Sequence, residues 1–98
     1  MTREQVLNIL GQQRETLRKR FGVRDVALFG SVAREQATAT SDVDVLLDFE
    51  RPISLFELMA VQQYLEKTLG VSRVDVVPRD CVYPELEASI QSGAIHVF

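Results

Sequence analysis

The chain has 98 residues, 46% of them apolar and 26% charged, and its 11 basic and 14 acidic side chains give a net charge of −3. That length is expected to form one domain, residues 1–98, and leaves no room for a second, substrate-binding one. A single cysteine (Cys81) and a single histidine (His96) exclude a disulfide framework and any multi-cysteine or His-rich metal site, and the acidic balance argues against strong nucleic-acid binding.

Val6, Ile9, Leu10, Leu17 and Phe21 recur at helical spacing and predict one helix over Thr2–Phe21. Thr2 with Gln5 has the pattern of a capping box, and Gly22 supplies a left-handed stop. Gly11 weakens the middle of this segment by about 1 kcal/mol relative to alanine. Val26 to Phe29 is a short apolar run ending at Gly30, which predicts a buried strand. A loop or single helical turn follows from Ser31 to about Gln36, and the small polar residues Ala37 to Ser41 predict a surface loop.

Asp42 to Phe49 is the clearest predicted strand. Val43, Val45, Leu47 and Phe49 share one face, while Asp42, Asp44, Leu46 and Asp48 share the other. Ser54 with Glu57 repeats the capping-box pattern and opens a helix closed by Gly70. Arg73 to Val77 predicts another strand, stopped by Pro78. Pro84 suits the first turn of a helix running to Ser92, and Ile95 to Phe98 can form a last strand. The expected fold class is α+β (mixed α/β), a small mixed sheet with helices mainly on one face. No run reaches 18 apolar residues, so no membrane-spanning segment is expected. The first residues lack a signal-peptide core, which with the lone thiol gives an expected cytoplasmic localisation.

Asp42 and Asp44 lie two apart on a strand, so both side chains leave the same face roughly 6.5–7 Å apart. Like charges held side by side repel, and a hard divalent cation is the usual compensation. On these two residues alone, a solvated strand start is the other reading. Asp75 puts a third carboxylate at the centre of an apolar strand, where it is either a ligand partner or an edge-strand charge that blocks aggregation. Gly30-Ser31 ends a strand and opens a turn, which offers free N–H groups and a hydroxyl to an anion, with Arg34 three residues on. Taken by itself, Gly-Ser after a strand is commonly only a turn.

Together these residues spell G-S-x10-D-x-D, from Gly30-Ser31 to Asp42-Val43-Asp44, with Asp75 on a later strand. The stretches Leu28-Phe29-Gly30-Ser31-Val32-Ala33-Arg34 and Ser41-Asp42-Val43-Asp44-Val45-Leu46-Leu47 resemble the DNA polymerase β-like nucleotidyltransferase superfamily. Its smallest branch, the minimal nucleotidyltransferase (MNT) family, is the nearest in pattern. Glu35 departs from it, since the family often has glycine after the arginine.

The resemblance implies a polymerase β palm-like nucleotidyltransferase fold and Mg²⁺-dependent transfer of AMP from ATP. Gly30, Ser31 and Arg34 would bind the nucleotide, and Asp42, Asp44 and Asp75 would be the catalytic residues, holding two Mg²⁺ ions. Asp75 would also help deprotonate the acceptor hydroxyl. Members of this branch are typically antitoxins that adenylylate a tyrosine of a HEPN-domain toxin, so the implied partners are ATP and such a toxin. Two alternatives stand beside that reading: a non-catalytic antitoxin that works by occlusion, and an adenylyltransferase acting on a small molecule or RNA. The remaining polar and aromatic residues have simpler expectations. Asp48 reads as a solvated strand end, Arg79-Asp80 as a surface turn, Cys81 as half-buried, and His96, Tyr64 and Tyr83 as packing.

Overall fold

The computed structural model describes residues 2–33 and 42–98. Its elements are α1 (Arg3–Gln12), α2 (Arg14–Phe21), β1 (Val23–Phe29), the single turn α3 (Gly30–Ala33), β2 (Val43–Phe49), α4 (Leu55–Leu69), β3 (Val74–Pro78), a 3-10 turn (Arg79–Cys81), α5 (Pro84–Gly93) and β4 (Ile95–His96). Both capping boxes form. The Thr2 hydroxyl accepts from Gln5 N–H at 3.2 Å, and the Ser54 hydroxyl accepts from Glu57 N–H at 3.1 Å.

One expectation fails at the first element. Thr2–Phe21 is two helices, not one, because Gln13 leaves the helical path at φ −93°, ψ 3° and its N–H turns back to the Leu10 carbonyl. The tertiary structure holds this break: the Tyr64 hydroxyl donates to Gln13 Oε1, and the Tyr64 ring stacks at a tilt on Phe21 with centroids 5.5 Å apart. Two helices on either side of Gln13 bury Val6 and Leu10 from one and Leu17 and Phe21 from the other.

The four strands run in the order β3-β2-β1-β4. β1 is antiparallel to β2 and to β4, whereas β2 is parallel to β3, so the sheet is mixed as expected. A bulge between Val23 and Asp25 shifts the side-chain alternation by one residue, which lets Val23, Val26 and Leu28 all face the same core. The opposing β2 residues Val43, Val45 and Leu47 meet them there. α1, α2 and α4 cover this face; Val61, Leu65 and Leu69 are the buried residues of α4.

The opposite face carries a smaller cluster of Ala27, Phe29 and Leu46, packed by Leu86 and Ile90 of α5. It is the face on which β2 alternation places Asp42 and Asp44. α4 is also tied to the outer strand β3, since the Glu66 carboxylate accepts from the Val74 N–H at 3.1 Å.

Two end-of-chain expectations also change. Cys81 is exposed, not half-buried, because it closes a 3-10 turn with no buried residue. His96 does not pack into the terminus: its side chain is exposed and lies 3.5 Å from Asp25, while the neighbouring Ile95 takes the core-facing position.

Candidate active site

Three strand ends meet in register. Phe29 pairs with Asp44 across β1 and β2, and Asp44 pairs with Asp75 across β2 and β3. Strand spacing near 4.8 Å therefore sets the two aspartates side by side, about as close as neighbouring strands permit. Asp42 stands two residues before Asp44 on the same face. Gly30 follows Phe29 directly, at φ +78°, and turns the chain into α3. Such a left-handed φ is open to glycine and strained for other residues. The space beside Gly30 Cα is filled by Asp44, whose carboxyl carbon would lie 3.0 Å from any Cβ added there.

A cavity of about 630 Å³ opens at this point, lined by Gly30, Ser31, Asp44 and Asp75 with Tyr83, Leu86 and Ser89 on the α5 side. That volume is in the usual range for a small-molecule ligand. Tyr83 corrects an expectation: it is 55% exposed and lines the cavity, where sequence reading gives it a packing role. Its position just before Pro84, at the start of α5, keeps it out of the core. Arg34, the expected charged partner of the phosphate turn, and the departing Glu35 lie outside the described residues. The turn itself is tied down from α1, where Arg3 Nη1 donates to the Ala33 carbonyl at 3.3 Å.

Sequence reading missed Arg73. Its Nε donates to Asp75 Oδ1 at 3.1 Å and lies 3.7 Å from Asp42 Oδ2. The available signal was the two-residue spacing of Arg73 and Asp75, which puts both on one face of a strand. Asp48, further along β2, takes no part in the site. It is held by Arg24, with Nη2 to Oδ2 at 2.7 Å. The hydrogen bond and charge of Asp48 push the Arg24 guanidinium above its ordinary pKa.

Asp42, Asp44 and Asp75 offer only carboxylate oxygens, the hard donor set that Mg²⁺ takes. Their backbones converge, but their oxygens do not yet do so: among the described residues, no three carboxylate, imidazole or thiol groups stand close enough to enclose one ion. Asp42 and Asp75 turn toward Arg73, and Asp44 turns toward Gly30. The donor chemistry fits a divalent cation, provided these side chains rotate to meet it.

An apolar strand, a Gly-Ser turn and in-register aspartates on the two following strands are the frame of a nucleotidyl-transfer site. The chain belongs to the nucleotidyltransferase domain family, which it matches over residues 10–96. Nucleotidyltransferases of this family generally use a divalent metal ion. Over 97 residues it is 37% identical to the protein adenylyltransferase MntA of Thermococcus cleftensis, spanning 99% of this chain and 97% of that one. A solved structure of the minimal-nucleotidyltransferase kind is 36% identical, covers 97% of this chain and 95% of its own, and superposes with a TM-score of 0.76. The same fold, at 15% identity and a TM-score of 0.68, is found in a chain of the complex between a tri-AMPylated Shewanella oneidensis HEPN toxin and an MNT antitoxin. That match covers 94% of this chain and 71% of the other.

Proposed function

We propose that this chain, acting as one nucleotidyltransferase domain over residues 1–98, transfers AMP from ATP to a tyrosine hydroxyl of a partner HEPN-domain toxin and so serves as its antitoxin. The observation that carries the reading is the Asp44–Asp75 register pair set against the Gly30-Ser31 turn. The kinship with a protein adenylyltransferase supports a protein acceptor. The proposed site of action is the cytoplasm; no described helix is long and apolar enough to cross a membrane.

In this reading the Gly30 and Ser31 backbone and the Ser31 hydroxyl hold the β- and γ-phosphates, with Arg34 adding charge. Asp42, Asp44 and Asp75 hold two Mg²⁺ ions. Ions held by these carboxylates would supply positive charge to offset that of the triphosphate during an in-line displacement. Asp75 takes the proton from the acceptor hydroxyl. A bond forms between that oxygen and the α-phosphorus, the α–β bridging bond breaks, and pyrophosphate leaves. Positioning and charge neutralisation supply most of the rate in such reactions.

The test is incubation of the purified chain with a candidate HEPN-domain toxin, Mg²⁺ and ATP labelled at the α-phosphate. Label is expected on a toxin tyrosine, with toxin activity lost in proportion. Neutralisation without label would instead mean occlusion, and label on RNA or a small molecule would mean a different acceptor.

A further inference from the structure

Arg73 lies just before the Val43–Val74 register pair, opposite Asp42, and two residues before Asp75. Its backbone carbonyl accepts from Val43 N–H at 3.4 Å, which anchors it at the entrance to the parallel pair. Its Nε reaches both outer carboxylates of the site, at 3.1 Å from Asp75 and 3.7 Å from Asp42. One guanidinium thus spans two of the three assigned metal ligands. Its side chain is 63% exposed, so each pairing is weak and readily exchanged. A dication drawing on the same oxygens would stand within a few ångströms of the guanidinium, and like charges at that distance repel.

We propose that Arg73 is the built-in counter-cation of Asp42 and Asp75, a positioning residue that holds the two carboxylates adjacent and then yields them to the divalent cation. The inference rests on the assignment of the three aspartates as metal ligands. The displaced guanidinium stays at the rim of the site, where its planar fork suits phosphate oxygens. A nucleotide therefore draws Arg73 off the carboxylates and eases metal entry, and the metal frees Arg73 for the nucleotide. The two ligands become coupled through one side chain, and the coupling is reciprocal.

Calorimetric titration with Mn²⁺, in the presence and absence of a non-hydrolysable ATP analogue, tests this on wild type, Arg73→Gln, Arg73→Lys and Asp75→Asn. Without nucleotide, Arg73→Gln is expected to bind Mn²⁺ about two- to thirtyfold more tightly than wild type, the range set by losing two exposed ion pairs. The gain in Mn²⁺ affinity on adding the analogue should shrink in the same variant. Arg73→Lys, which keeps the charge and loses the fork, should fall between, and it carries the comparison if Arg73→Gln does not fold. Equal or weaker Mn²⁺ binding by the folded variant overturns the proposal. A merely structural ion pair would lower the melting temperature and leave Mn²⁺ affinity unchanged, which also overturns it. Failure of wild type to bind Mn²⁺, or undiminished binding by Asp75→Asn, removes the metal-ligand assignment itself and the inference with it.

Discussion

Gly30 and Asp44 fit one another so closely that a Cβ on the glycine would stand 3.0 Å from the carboxyl carbon of the aspartate and 3.3 Å from its Cβ. The glycine of the motif therefore does two things. It lets the backbone turn at φ +78°, and it makes room for the carboxylate on the neighbouring strand.

Gly30→Ala tests both roles. The left-handed backbone alone should cost roughly 1–2 kcal/mol, and the clash with Asp44 adds to it. Adding Asp44→Ala should recover the clash and leave the backbone cost, so the two changes will be non-additive in urea unfolding. Neither protein is expected to transfer AMP. Strict additivity would mean that the side chain of Asp44 moves aside freely.

Asp44→Asn and Asp48→Asn separate the site from its continuation along the same strand face. The first should abolish AMP transfer while leaving the fold intact, being nearly isosteric. The second removes only the negative charge that Asp48 sets against Arg24 and should leave transfer at wild-type levels. Label transfer to the toxin reads out both. Substantial transfer by Asp44→Asn would sink its role as a ligand.

Ser31→Ala should weaken ATP binding by about 0.5–1.5 kcal/mol, the net worth of one neutral hydrogen bond. Its melting temperature without ligand should stay close to wild type, since Ser31 lies on the cavity wall rather than in the core. Unchanged ATP affinity in calorimetry would show that the hydroxyl makes no phosphate contact.

Leu65→Ala probes the core behind the site. Leu65 is fully buried between α4 and the sheet, and its truncation should cost about 2–5 kcal/mol. Because α4 holds β3 through Glu66, AMP transfer should fall along with stability. A midpoint in denaturant within experimental error of wild type would contradict the packing described.

What could be read from the sequence was local. The capping boxes at Thr2-Gln5 and Ser54-Glu57 need only residues three apart, and the alternation along Asp42–Phe49 names its own two faces. The break at Gln13 was not legible because Tyr64, 51 residues away, stabilises it. Arg73 was overlooked for the same reason: its second partner, Asp42, becomes a neighbour only once β2 and β3 pair in parallel. Residue type alone suggests packing for Tyr83 and half-burial for Cys81, but the first stands at a helix start and the second on a short exposed turn.

The bond from Val74 N–H to the Glu66 carboxylate also bears on how the molecule behaves in a crowded solution. β3 is an outer strand, and such a strand is a template on which another chain can add. Glu66 occupies one of its donors with a charged group, and Pro78 at its far end has no N–H to offer. Five residues long, blunted at both ends, β3 leaves an incoming strand little to pair with. The strand that carries Asp75 is thereby kept from recruiting copies of itself.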